Sequence, residues 1–261
     1  MKIKITELNN CSALVTGASQ GIGLAIAQKL SHYGVSVCLA ARNKQVLDAH
    51  VERLVIAGRS ATAVACDVAN YTDVQTAVDH TVKQFGKLDI LINNAGIIEP
   101  ISRIAESDPA AWSYAVDVNL KGVYHGLRAA LPHMESRGCG VIVNMSSGAA
   151  NSALEGWSHY CSTKAAVKKL TECAHAEMHS TGVRIVGLSP GTVATDMMHK
   201  IRSSGINPVS RLDWSTHIPA EWVGEAVAWL CGSDAKEFDG TDFSIKTEAG
   251  RRRAGLPTTL S

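Results

Sequence analysis

Short runs of Val, Ile, Leu and Ala recur along the chain, separated by longer stretches in which apolar positions return every three to four residues. Runs apolar throughout predict strands buried on both faces, and the 3.6-residue period predicts helices packed over them. The predicted strands are 12–16, 35–40, 61–66, 88–93, 140–144, 183–188 and 242–245, and the predicted helices 22–33, 44–57, 72–85, 109–137, 158–180 and 220–231. Regular alternation of the two predicts an α/β fold, a doubly wound parallel sheet of about seven strands flanked by helices. No repeat, low-complexity tract or Pro/Gly linker interrupts it, so 1–261 reads as one domain, with a first part at about 12–145 and a second at about 146–261. The stretch 197–217 shows no clear period; a compact domain keeps such a segment for function, here a mobile lid over a ligand.

Composition narrows the function classes. With 46% apolar residues and a formal charge of +1, the chain is neither disordered nor built to hold a phosphate polymer, so nucleic acid is not an expected partner. Segment 1–10 carries charge early and lacks a secretory core, and no apolar stretch approaches the ~20 residues that span a membrane. A cytoplasmic protein without membrane association is expected. The seven cysteines are scattered without a C-x-x-C pair, which reads as buried reduced thiols and no metal site.

Candidate chemistry begins at the first strand-to-helix junction, Thr16-Gly17-Ala18-Ser19-Gln20-Gly21-Ile22-Gly23. Backbone N–H groups and the helix dipole at such a junction favour a pyrophosphate. Gly17 permits the turn, Gly21 lets backbone approach phosphate, and Gly23 lets the helix lie close. After the second strand, where dinucleotide sites often carry an acid for the ribose hydroxyls, the chain has Ala40-Ala41-Arg42-Asn43. A guanidinium there suits a 2′-phosphate, so NADP(H) is the preferred cofactor and NAD(H) the alternative. Further on, Tyr160 and Lys164 are four residues apart and share a helix face. An ammonium favours a phenolate, but moving a Tyr from about 10 to near neutral takes roughly 4 kcal/mol, more than one wet Lys supplies. A dry site that also holds the positive nicotinamide of the oxidised cofactor is required.

The spacing G-x-x-x-G-x-G, together with Asn93-Asn94-Ala95-Gly96 and Tyr160-x-x-x-Lys164, resembles the short-chain dehydrogenase/reductase family in its single-domain branch. The resemblance implies a Rossmann-type sheet and an NADP-dependent alcohol dehydrogenase or carbonyl reductase that exchanges a hydride with a ketone or aldehyde, Tyr160 being the acid and base. Over residues 12–196 it implies that Gly17, Ser19, Gln20, Gly21, Ile22, Gly23, Arg42, Asp67, Val68, Asn93, Ala95 and Gly96 hold the cofactor. Pro190, Gly191, Val193 and Thr195 would receive its carboxamide, and Tyr160 and Lys164 its ribose. A structural role is the rival reading for Asn94. By its spacing to Tyr160, Ser147 matches the family's catalytic serine, with Ser146 as the competitor, and Asn119 matches the asparagine that kinks the fourth helix and holds a water on Lys164.

Substrate-facing candidates are Ser147, Ala149, Trp157 and Tyr160, with Ile98, Leu154 and the 197–217 segment around them; His159 reads as structural. The family's V-D-G-G ending is absent, replaced by Ser244 to Gly250 and the basic run Arg251 to Arg253, read as solvated or at a subunit edge. The partners implied are a small carbonyl or alcohol substrate and further copies of the chain, as a homotetramer or homodimer. The alternatives are an enzyme like 3-oxoacyl-[acyl-carrier-protein] reductase and, in another class, a non-catalytic dinucleotide sensor.

Overall fold

The computed structural model describes residues 7–259; positions 1–6 of the 1–10 segment lie outside them. Seven strands form one parallel sheet: β1 (Ser12–Thr16), β2 (Ser36–Ala41), β3 (Ala61–Ala65), β4 (Ile90–Asn93), β5 (Gly140–Met145), β6 (Val183–Ser189) and β7 (Asp242–Ser244), in the order β3-β2-β1-β4-β5-β6-β7. After β3 the chain returns to the centre to begin β4 beside β1, pairing Ala13 with Ile90. That reversal opens a crevice at the carboxyl ends of β1 and β4, where doubly wound sheets bind ligands.

All five residues of β1 are buried, as the unbroken apolar runs require of a strand covered on both faces. One face packs under α1 (Gly21–His32) and α8 (Ala220–Cys231), through Ile26, Leu30, Val223 and Val227. The other packs under α3 (Tyr71–Phe85), α5 (Gly122–Arg137) and α6 (Ser158–Met178), through Val74, Leu127 and Val167. Local signals set the helix ends: Asn43 caps α2 (Lys44–Ile56) by accepting from Val46 N, and Gly138 in the left-handed region at φ 67° stops α5.

Two predicted elements change. The helix expected over 109–137 is broken: α4 (Pro109–Val116) and α5 are joined by one wide turn of π-helix, Asp117–Lys121, with Asn119 inside it. The 197–217 segment is not structureless. It contains α7 (Asp196–Ser204), closed by Gly205 at φ 60°, and two short turns at Pro208–Arg211 and Trp214–Thr216. Met198 and Ile201 turn inward from α7 and pack with Ile98, Ala149 and Trp157 in a third, small apolar cluster. Trp214 is sandwiched between His199 and His217, with ring centroids 4.3 and 5.0 Å apart, which pins the segment to α7. The basic run forms α9 (Glu248–Arg253).

Candidate active site

A cavity of about 1420 Å³ opens along the carboxyl edge of the sheet, from the β2 end to the face of α7. Its floor at β1 is the glycine turn. Thr16 Oγ1 donates to Ile92 O at 3.2 Å and accepts from Asn94 N and Ala95 N at 3.0 and 3.2 Å, so one hydroxyl ties the ends of β1 and β4. Asn94 Nδ2 donates to Thr16 O at 2.8 Å and Gly17 O at 3.3 Å, the structural role that was its rival reading. A Cβ on Gly17 would come within 2.8 Å of Ala95 Cα, and one on Gly23 within 2.3 Å of Gly17 O. The turn is therefore closed on its protein side and leaves Gly17, Ser19, Gln20, Gly21, Ile22 and Gly23 facing the cavity.

Beyond the turn, Arg42 lies exposed at the cavity wall, its Nη1 donating to the phenol of Tyr114 at 3.1 Å. Asp67 and Val68 line the same end, Asp67 Oδ1 accepting from Ala69 N at 3.0 Å. Ala95 and Gly96 face the cavity as well. Asn93 does not. It is buried at the end of β4, Nδ2 donating to Asn144 Oδ1 at 2.9 Å, because strand alternation turns its side chain into the core under α5. Its side chain thus makes a core hydrogen bond instead of facing the cavity.

At the other end β5 delivers Ser147 and α6 delivers Tyr160 and Lys164, one helical turn apart, into the same space. Ser147 faces the cavity with Tyr160 and pulls the proton affinity of its phenol down, while the neighbouring Ser146 is buried and donates to Asp242 Oδ2 at 3.1 Å; the geometry separates the two serines. Lys164 is buried, its Nζ donating to Met145 O at 2.6 Å and lying 5.6 Å from the Tyr160 ring centroid. Burial pushes the Lys164 ammonium down to about 8, against the attraction of Asp242. Burial also pushes the Tyr160 phenol up, outweighing the hydrogen bond from Ser147 that pulls it down. In the free protein Tyr160 is thus a proton-bearing donor, and Lys164 does not by itself make a phenolate.

Asn119 is buried behind Gly96 and outside the cavity lining, its Oδ1 accepting from Ile97 N and its Nδ2 donating to Ile97 O, both at 2.8 Å. Its side chain clamps the β4 loop to the π turn. Pro190, Gly191, Val193 and Thr195 line the cavity opposite Tyr160, with Thr192 among them. Trp157 is buried at the start of α6, edge-on to Tyr160 at 5.6 Å, and it lines the cavity. Ile98, Ala149 and Leu154 join it, and the α7 region adds Met197, Met198, Ile201, Val209 and Leu212. His159 donates to or accepts a proton at neither reacting group; its Nε2 bonds Ile98 O at 2.8 Å.

Sequence reasoning missed Tyr114, Lys246 and Arg251 on the cavity wall. Where the sequence suggests a solvated side chain or one at a subunit edge, the Arg251 guanidinium donates to Lys246 O at 2.8 Å and Thr258 O at 2.7 Å, fastening the chain that follows α9. The whole lining fits a nicotinamide dinucleotide: a cradle that side chains would fill at one end, a guanidinium beside it, and at the other a half-buried Tyr160 next to a buried Lys164.

The family model for short chain dehydrogenases matches residues 12–205. The 3-oxoacyl-[acyl-carrier-protein] reductase FabG of Staphylococcus aureus is 34% identical over 243 residues, covering 90% of this chain and 96% of that protein. A solved actinorhodin polyketide ketoreductase with NADPH superposes with a TM-score of 0.83 at 29% identity, over 90% of this chain and 95% of its own. The 3-ketoacyl-(acyl-carrier-protein) reductase of Brucella melitensis, solved with NADH, does so with a TM-score of 0.81 at 29% identity, over 91% and 97%.

Proposed function

Because the chain belongs to the short-chain dehydrogenase family, we propose that it is an NADP(H)-dependent oxidoreductase interconverting a ketone or aldehyde and an alcohol, with Tyr160 as acid and base. The observation that carries this reading is the continuity of one cavity from the glycine turn at Gly17 to the Ser147, Tyr160 and Lys164 group. A bound nicotinamide supplies or accepts the hydride. The chain's own residues do the rest. Backbone at Gly17–Gly23 holds the pyrophosphate, Arg42 the 2′-phosphate, and the loop Pro190 to Thr195 the carboxamide.

For reduction, Tyr160 gives its proton to the substrate oxygen, and the Ser147 hydroxyl donates to the same oxygen as negative charge grows there. Lys164 then faces a developing phenolate, and its attraction strengthens in the dry pocket when that charge appears. For oxidation each proton runs back along the same path. The wall of Ile98, Ala149, Trp157, Met198 and Ile201 excludes water and suits an apolar carbonyl compound.

A second reading, reduction of a 3-oxoacyl thioester, is favoured by the FabG relative and by the apolar wall that α7 extends. We also assign a cytoplasmic location and a homotetramer or homodimer, in keeping with exposed Tyr124 on the outer face of α5. The deciding experiment follows NADPH absorbance with a panel of cyclic ketones, aldehydes and 3-oxoacyl thioesters. Turnover of at least one class is expected. Tight NADPH binding with no turnover across the panel would replace the enzyme reading by that of a dinucleotide sensor.

A further inference from the structure

The last strand brings a carboxylate behind the Tyr160 and Lys164 pair. Asp242 opens β7 and stands in register with Gly187 on β6. A Cβ on Gly187 would lie 2.8 Å from Asp242 Oδ1, so the missing side chain on β6 is what gives this carboxylate its place. Asp242 Oδ2 accepts from Ser146 Oγ at 3.1 Å, and Ser146 directly precedes Ser147. Oδ1 is buried and has no hydrogen-bond partner among the described residues. A carboxylate half removed from water with one empty oxygen costs free energy unless charge nearby offsets it.

The charges facing it come from α6. Lys164 and Lys168, one turn apart, both attract Asp242, while Lys168 Nζ is already engaged with Asn151 Oδ1 at 2.9 Å. From β6 the facing residue is the uncharged Gly187, and from the end of β5 it is Ser146. Arg184 and Asp239 pair with each other at 2.9 Å at the opposite end of β6, leaving them no part in this group. Lys164 gives its short hydrogen bond to Met145 O, so Asp242 acts on it across space rather than by contact.

We propose that Asp242 is a positioning residue for the reaction, holding Ser146 at the end of β5 and standing as counter-charge behind Lys164, whose Nζ bonds the carbonyl of Met145, the residue next to Ser146. This rests on the catalytic reading of Tyr160 and Lys164 given above. The effect has a physical basis: burial alone drives the ammonium towards its neutral form, and Asp242 is the charge that opposes this. A neutral Lys164 leaves the phenolate of Tyr160 without its cation.

The test separates charge from hydrogen bonding. In full-length protein labelled with 13C at lysine Cε, the Lys164 resonance, identified by its loss in Lys164→Arg, is titrated in the wild type, Asp242→Asn and Ser146→Ala. A wild-type midpoint near 8 is expected. Asp242→Asn, which keeps shape and hydrogen bonding, should lower it by about one pH unit, a tenfold loss of proton affinity. Ser146→Ala, which keeps the charge, should leave it in place. The alkaline limb of kcat for carbonyl reduction should move down with the midpoint in Asp242→Asn alone. An unmoved midpoint in Asp242→Asn overturns the proposal, as does an equal shift in Ser146→Ala; should Asp242→Asn fail to fold, Asp242→Ser is judged by the same two criteria. If even the wild type reduces nothing, the catalytic reading falls while the titration still decides what Asp242 does to Lys164.

Discussion

The two halves of the cavity are built from different materials. On the β1 side the surface offered to a ligand is mostly backbone, shaped by glycines and tied by Thr16 and Asn94, and what constrains it is steric. On the β5 to β7 side it is made of side chains, Ser147, Tyr160 and Lys164 backed by Asp242, and what constrains them is burial acting on proton affinity. A mould of backbone holds its shape without regard to pH; a buried Lys164 beside a half-buried Tyr160 is costly to assemble and changes character with each charge brought near it. The cofactor half should therefore fail through added atoms, and the chemical half through removed ones.

The largest effect expected falls on the chemical half. Tyr160→Phe removes one oxygen and leaves the ring against Trp157, so folding and NADPH affinity should stay near wild type. Turnover should drop by about 10³-fold, the range of a lost general acid, equivalent to about 4 kcal/mol of barrier. Steady-state kinetics beside a fluorescence titration of NADPH measures both. Equal loss in the two would make Tyr160 a structural residue and erase the contrast.

The counterpart adds atoms to the mould. In Gly23→Ala the new methyl meets Gly17 O at 2.3 Å and Asn94 Nδ2 at 2.5 Å, displacing the amide that holds the turn. Overpacking together with a lost hydrogen bond should cost about 3 kcal/mol in stability, and NADPH binding should weaken with it. Urea denaturation and the same titration read the outcome. A variant as stable as wild type would mean that the turn yields.

Next comes a variant expected to gain stability while losing function. Lys164 falls from 10.5 to about 8 through burial, a shift of about 2.5 units, or roughly 3 kcal/mol against the folded state while the ammonium is charged. Below about pH 8 both folded and unfolded chains carry the proton and the penalty is complete. Between about 8 and 10.5 the folded chain sheds it first, the unfolded chain binds more protons, and wild-type stability rises. Lys164→Met removes the charge but strands Met145 O, returning about 1 kcal/mol. The variant should be more stable than wild type by about 2 kcal/mol at pH 7, with the gain fading above pH 8. Denaturation at pH 7 and pH 10 measures the difference.

How much of each half was legible in the chain follows from the range of the interactions. All seven strands were, with ends displaced by a residue or two, because a strand buried on both faces needs an unbroken apolar run. The glycine turn was too, since it is local. The break at Asn119 came only through the family resemblance, which implied a kink there, and not through the apolar period: a π turn has no composition of its own, and it is the pairing with Ile97, 22 residues away, that holds it. Helix α7 was hidden because His199, Lys200, Arg202, Ser203 and Ser204 leave only Met198 and Ile201 as its buried side, although Asp196 and Gly205 mark its two ends. Asn93 and Asn94 show the limit most simply, as neighbours in one motif that the pleat of β4 sends to different places. Asp242 lies 96 residues from Ser146 and enters the site only once the sheet has formed.

The smallest effect tests whether the backbone half has one electrostatic element after all. Arg42 lies exposed at the β2 end of the cavity, steadied by the Tyr114 phenol at 3.1 Å, so a hold on a 2′-phosphate there would be a charge-assisted contact weakened by water. Arg42→Ala should raise the dissociation constant for NADPH about tenfold, near 1.4 kcal/mol, and leave that for NADH unchanged. The discrimination should shrink as salt is added, because the pair is open to solvent. Measuring both cofactors at two ionic strengths is decisive. If NADH weakens as much as NADPH, Arg42 supports the β2 loop rather than reading phosphate, the cofactor half is a steric mould throughout, and preference between the cofactors has to arise elsewhere on the wall, with Lys44 beside Arg42 already committed to Asp48 at 2.7 Å.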